Sequence, residues 1–371
     1  MTDGKINVLV AEDSAIARVL LVRLLESDPL IRVVGAVGDG QAAIDFVNHN
    51  KPDVVLMGVH MPRLDGFETT RRIMETQAVP IIICSASNNV TDIAVTFRAM
   101  EAGAIACIEK PFTGEQDDFE AMAAHLLETV KLMSEVKVVR RTAHRRPAPL
   151  PSAHPPAPAA QRQRAPAQIK LVGIGASTGG PLALQTILSG LPKDFPAPVL
   201  VVQHIAHGFL PGMAEWLNQT TTLQIHIASY GTTPLPGHVY LAPDDFHMGI
   251  GTGGNIILTR EAPENHLRPA VSFLFRSLAE TYGPNALGVL LTGMGKDGAE
   301  ELKAMMAKGA VTIAQDQESS VVHGMPGVAI ALGAATQVLP ADKIADALIA
   351  LVRQIDGDGD GDGHGHGIAG N

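Results

Sequence analysis

Short apolar runs alternate along this chain with longer stretches in which apolar residues recur every three or four positions. In the first third the runs are residues 6–11, 33–37, 54–57, 80–83 and 104–108. Runs of this length predict buried strands, and the periodic stretches between them predict helices. Ser14 and Asp39 stand where helix N-caps belong, and the first helix is expected to carry Ile16, Leu20 and Leu24 on its buried face. Five strand–helix units in alternation predict an α/β domain with a doubly wound parallel sheet in the flavodoxin-like order 2-1-3-4-5.

The same alternation returns near residue 169. Residues 171–174 are an apolar run that breaks into glycines, a serine and Pro181, which predicts a strand, a sharp turn and a helix with proline in its first turn. Residues 198–203, 286–292 and 311–314 are further strands of a second doubly wound sheet. Residues 223–230, 238–242 and 255–260 predict shorter, partly antiparallel strands. Helices are expected over 207–217, 273–279, 297–308 and 344–352. Between the two blocks, PAPLPSAHPPAPAAQRQRAPAQ has no apolar period and predicts an extended linker. The expected organisation is a first domain over 3–130, a linker over 131–168, a second domain over 169–353 and a tail over 354–371. That tail, rich in Asp-Gly and His-Gly, predicts disorder. Asp356, Asp358, Asp360 and Gly361 match the opening of an EF-hand loop, but Gly367 stands where the closing glutamate belongs.

The net charge of −10 argues against nucleic acid as a partner. No apolar run approaches the roughly 20 residues that span a bilayer, which predicts no direct membrane insertion. The N-terminus has no apolar signal core, and two cysteines, Cys84 and Cys107, both in apolar runs, make no disulfide framework. A reducing cytoplasm is the simplest compartment.

Candidate chemistry collects where strands end. Residues 175–179, GASTG, fit the nucleophile-elbow pattern G-x-S-x-G, and a helix N-terminus follows. In an open parallel sheet the C-terminal strand ends share one edge. Ser177, His204 and Asp297 each lie just past such an end, so a nucleophile, a base and an orienting acid can meet there. His226, His238, His247, His266 and His323 lack metal-ligand spacing and are expected to be ordinary loop histidines, with no metal in this domain.

The segments GIGASTGGP, VVQH, LTGMGKDG and VVHGMP resemble the catalytic domain of the chemotaxis protein-glutamate methylesterases, over residues 169–352. The resemblance implies Ser177 as nucleophile, His204 as base, Asp297 as orienting acid, and the Thr178 and Met294 backbone N–H groups as oxyanion donors. It implies no cofactor for catalysis. One departure is Ser272, in RPAVSFLF, where the family usually has aspartate; it is not a triad position.

In the first domain Glu12, Asp13, Ser85 and Lys110 stand at strand ends. Two adjacent carboxylates suit Mg²⁺, and a lysine with a hydroxyl suits phosphoryl oxygens. With Met61-Pro62, Asp65-Gly66, Ser85-Ala86 and Lys110-Pro111, this resembles the receiver domain of two-component response regulators. Receivers carry the phosphate-accepting aspartate four residues before the proline of the MP loop, and here that position is Gly58. Asp53 begins its strand and is expected to point away from the acidic pocket. Cys107 stands where receivers usually have the switching Tyr or Phe.

The resemblance implies hydrolysis of glutamate methyl esters on chemoreceptor helices, with deamidation of receptor glutamines by the same acyl chemistry. It implies methyl-accepting chemoreceptors as partners, docking to a chemotaxis histidine kinase, and no phosphorylation at Gly58. The alternative is a non-catalytic regulatory or docking pseudo-response-regulator, motivated by the altered receiver.

Overall fold

The computed structural model describes residues 4–85, 90–111, 116–136, 138 and 168–353. The linker beyond residue 138 and the EF-hand-like tail lie outside the described residues.

The first domain runs β1 (Ile6–Ala11), α1 (Ala15–Glu26), β2 (Ile31–Val37), α2 (Gly40–Asn50), β3 (Val54–Gly58), α3 (Gly66–Thr76), β4 (Ile81–Ser85), α4 (Val90–Ala102), β5 (Ala106–Glu109) and α5 (Gln116–Ser134). Its strands are all parallel, in the order β2-β1-β3-β4-β5. Apolar strands buried on both faces need helices on both sides, and the βα connections supply them. The Ser14 and Asp39 side chains cap α1 and α2 as expected, accepting from the Ala17 and Ala42 N–H groups. The buried face of α1 differs from expectation. Leu21 and Leu25 face the sheet, while Ile16 is 76% and Leu20 38% exposed. The segment AIARVLLVRLLE holds two apolar stripes one residue apart, and periodicity alone does not choose between them. The last helix also runs to Ser134, past the expected boundary at 130.

The second domain runs β6 (Leu171–Ala176), α6 (Gly180–Gly190), β7 (Val199–Gln203), α7 (Leu210–Thr220), β8 (Gln224–Ile227), β9 (His238–Leu241), β10 (His247–Ile250), β11 (Ile256–Thr259), α8 (Val271–Thr281), β12 (Ala286–Leu290), α9 (Ala299–Ala307), β13 (Val311–Gln315), α10 (Met325–Ala331), β14 (Gln337–Leu339) and α11 (Ala341–Arg353). Seven strands form one parallel sheet, β14-β13-β12-β6-β7-β9-β8, with β6 at its centre. The expected antiparallel pairing is confined to β10 with β11, and the other two short strands join the main sheet in parallel. His226, His238 and His247 lie in strands β8, β9 and β10 rather than in loops. Helix α7 starts three residues later than expected, with proline in its first turn, and α9 starts after Asp297 rather than at it.

The two domains touch through α4 and α7. Phe97 and Trp216 stack with ring centroids 5.1 Å apart, and Trp216 Nε1 donates to Glu101 Oε1 at 2.8 Å. Val321 and Val322 of the second domain pack on the apolar cluster that contains Ile108 and Leu126 of the first. Among the described residues no helix is long and apolar enough to cross a membrane.

Trp216 is the chain's only tryptophan, and it is 4% exposed. A form lacking residues 1–165 uncovers this indole and is expected to emit at longer wavelength than the full chain. Identical emission maxima would show that the first domain does not cover Trp216.

Candidate active site

The site is built by three neighbouring strand ends. Ala176 and Gln203 are register partners on β6 and β7, and the His204 N–H donates to Ala176 O at 2.9 Å. Ser177 and His204, each the next residue, therefore leave the sheet side by side. On the other flank of β6, Leu290 of β12 pairs with Gly175, and the Ser177 N–H donates to Thr292 O at 3.0 Å. The turn after Ser177 closes with the Gly180 N–H on Ser177 O at 2.7 Å. Gly179 has φ +79°, in the left-handed region, and a β-carbon there would lie 2.6 Å from Val321 Cβ. Gly293 is equally constrained, since its β-carbon would lie 2.7 Å from Ser177 Cβ.

Gln203 is a site residue that sequence reasoning missed. Its Nε2 donates to Ser177 O and to His204 O, both at 2.8 Å, and so ties the two turns together. The signal was present, because a glutamine closing an apolar strand has to satisfy its amide somewhere.

Asp297 is 3% exposed and richly bonded. Its Oδ2 accepts from the Val271 N–H at 2.6 Å, and its Oδ1 from the Ser272 N–H at 3.1 Å and the Ser272 hydroxyl at 2.6 Å. The Ser272 oxygen in turn accepts from the Gly298 N–H at 3.0 Å. Val271 and Ser272 open α8, whose N-cap residue Ala270 has no side-chain cap, so Asp297 supplies the cap from a distant loop. The Ala270 N–H donates to Nδ1 of the buried His247, whose Nε2 donates to Ala262 O, and this holds the segment from the other side.

His204 Nε2 lies 3.0 Å from Asp297 Oδ2, both side chains being largely buried. The approach is close but off the hydrogen-bond line, leaving Nε2 without an aligned partner among the described residues. Such contacts often tighten only when substrate binds. Nδ1 is the ring nitrogen left for another partner. Burial pushes the Asp297 carboxyl up, but His204, Ser272 and the Val271 N–H together outweigh it and hold the pKa below the ordinary aspartate value. The Thr178 and Met294 N–H groups make no hydrogen bond among the described residues.

With this geometry, the relatives decide the family. Residues 172–348 match the CheB methylesterase family, and residues 8–123 match the response regulator receiver domain. The protein-glutamate methylesterase/protein-glutamine glutaminase of Nitrosospira multiformis is 52% identical over 354 residues, 94% of this chain and 98% of that protein. A protein of the same name from Geobacter metallireducens is 51% identical over 94% of this chain and 99% of its own length. The chain belongs to the protein-glutamate methylesterase/protein-glutamine glutaminase family. The solved catalytic domain of Thermotoga maritima CheB methylesterase is similar at 45% identity over 49% of this chain and 98% of that domain, with a TM-score of 0.48.

In the receiver domain of this family member, Glu12 is buried. Its Oε1 accepts from Lys110 Nζ at 2.8 Å and from the Ser14 N–H at 3.3 Å. Its Oε2 is buried with no hydrogen-bond partner among the described residues. Burial raises the Glu12 pKa more than the Lys110 ammonium lowers it. Gly58 ends β3 directly opposite, and a β-carbon there would lie 2.7 Å from Glu12 Oε2. Ser85 closes β4, and its carbonyl accepts from the Lys110 N–H at 2.8 Å. Asp53 stands at the other end of the sheet, accepting from the Asn7 N–H at 2.7 Å. Among the described residues no three His, Cys, Asp or Glu side chains gather as metal ligands. A Mg²⁺ here would rest on Glu12 Oε2, Asp13 and water, a donor set that Mg²⁺ accepts.

The depressed Asp297 carboxyl sets the sign of a pH effect. An acid with a lower pKa folded than unfolded adds stability above about pH 3.9, and that stability is lost as pH falls through the folded value. Between pH 5 and pH 2 the wild-type Tm should therefore fall further than that of Asp297→Asn. Equal falls in thermal melts would show that the carboxylate is not held ionised.

Proposed function

We propose that this chain hydrolyses glutamate methyl esters on chemoreceptors and deamidates receptor glutamines. The observation that supports this best is the convergence of Ser177, His204 and Asp297 where β6, β7 and β12 end together, in a chain half identical to relatives named for both activities. In this reading Ser177 Oγ attacks the γ-carbonyl carbon while His204 Nδ1 takes its proton. Asp297 holds the ring through Nε2 and stabilises its charged form. The oxyanion is received by the Thr178 and Met294 N–H groups, which are not otherwise engaged. His204 returns the proton to the leaving methoxide oxygen, which departs as methanol, or to the amide nitrogen of a glutamine, which departs as ammonia. Water, activated by the same imidazole, then cleaves the acyl-serine and leaves a glutamate. The hydrolysis draws on no cofactor.

Ser177→Ala should fold with an unchanged Tm and lose ester hydrolysis by on the order of 10⁴-fold or more. Methanol release at the wild-type rate from a methyl-labelled receptor would sink the assignment and favour the non-catalytic reading.

The receiver is proposed to be closed to phosphoryl control. Gly58 offers no oxygen to phosphorylate, and the Lys110 ammonium that would meet a phosphoryl group is already on Glu12. Without an attachment point, a phosphodonor has no differential hold on two receiver states. A Mg²⁺ on Glu12 and Asp13 would neutralise their charge without supplying the missing acceptor. Acetyl phosphate should neither label residues 1–130 nor speed ester hydrolysis. Gly58→Asp should restore labelling, because its β-carbon meets only the movable end of Glu12 and otherwise clears Ala11 O by 3.4 Å. Acid-labile phosphate on the wild-type chain would overturn this reading.

A further inference from the structure

Ser272 lies outside the triad, yet its hydroxyl is fixed more tightly than that of Ser177. The Gly298 N–H points at its oxygen at 3.0 Å, so the hydroxyl proton is directed away from that donor. Asp297 Oδ1, at 2.6 Å, is the acceptor it meets. The order is then Gly298 N–H to Ser272 Oγ–H to Asp297 Oδ1. All these groups are buried, where a hydrogen bond to a charged acceptor is strong and a missing one is costly. Two backbone N–H groups of α8 hold the carboxylate too, Val271 on Oδ2 and Ser272 on Oδ1, and on Oδ1 the Ser272 hydroxyl makes the closer bond, 2.6 Å against 3.1 Å for the N–H. A carboxylate that rotates withdraws Oδ2 from His204 Nε2.

We propose that Ser272 is a positioning residue for the hydrolysis, acting through Asp297: its hydroxyl anchors Oδ1 so that Oδ2 stays against the imidazole. It touches no substrate. Anchoring the carboxylate matters most when the imidazole becomes charged, in the transition state, so its loss appears in kcat rather than KM. This inference rests on the proposed roles of Ser177, His204 and Asp297.

The test is steady-state ester hydrolysis by the full chain carrying Ser272→Ala, Ser272→Cys or Ser272→Thr, beside Asp297→Ala and the Asp297→Ala, Ser272→Ala double variant. Ser272→Ala is expected to lower kcat about ten- to a hundredfold with KM changed less than about threefold, the worth of one hydrogen bond to a buried charge. Ser272→Cys keeps the size and weakens the donor, so it should also lower kcat, and it carries the test if the alanine variant fails to fold. Ser272→Thr keeps the hydroxyl and should recover to within about threefold of wild type. In the Asp297→Ala background, Ser272→Ala should have no further effect, since its only route to the chemistry is gone. Wild-type kcat in both the alanine and cysteine variants, with Asp297→Ala inactive, would overturn the role of Ser272 alone. An active Asp297→Ala would instead overturn the triad reading on which it rests.

Discussion

The site depends on β6 being paired in parallel on both sides at once. Its last residue lies level with the last residue of β7, and Gly175 lies level with the last residue of β12. A strand slipped by one residue would turn every side chain to the opposite face. Ser177 and His204 would then no longer emerge together. Side-chain size holds that register: a β-carbon on Gly173 would lie 2.4 Å from Leu278 and one on Gly175 2.3 Å from Val271, so a slip would drive Val172 or Ile174 into α8. The chemistry is thus positioned by the same burial that stabilises the core, and Gln203 only fastens what the register has already brought together.

Much of this was legible in the chain itself. Strand runs and the N-caps at Ser14 and Asp39 follow from local pattern, because each is set by residues close in sequence; the five-strand order follows from the count of βα units, and the positions of Ser177, His204 and Asp297 from where strands end together with the family resemblance. What the sequence hid was long-range. The stripe on α1 could fall on either of two faces, and only the sheet beneath it decides. The strand pairings of β8 and β9 depend on which edge is open after β7 is placed. Ser272 was visible as a departure from its family but seemed remote from the chemistry. Its contact with Asp297 comes from a loop 25 residues away that folds back onto the first turn of α8.

The same loop shows how little dedicated machinery the acid requires. Helix α8 leaves N–H groups unsatisfied at its start, as every helix does. Asp297 satisfies two of them and in doing so is aimed at His204. One carboxylate thus meets the structural need and, in the role proposed for it, a chemical one, and His247 steadies the segment from behind through the Ala270 N–H. The charge is tolerated in the interior because each oxygen is engaged, whereas an isolated buried carboxylate would take up a proton instead.

The glutamate in the receiver pocket has the opposite character. Glu12 sits against Lys110 in front of Gly58, so the cation has an internal counter-charge. A receiver that waits for an incoming anion is a gate, with an open and a shut position set by a kinase. A receiver with glycine at the acceptor position is proposed to have a single setting. On the reading proposed above, the flux of ester cleavage then scales with how many copies the cell makes rather than with the moment-to-moment output of a sensor. In that case control would pass from chemistry on the protein to the rate of its synthesis and removal, a slow dial in place of a fast one.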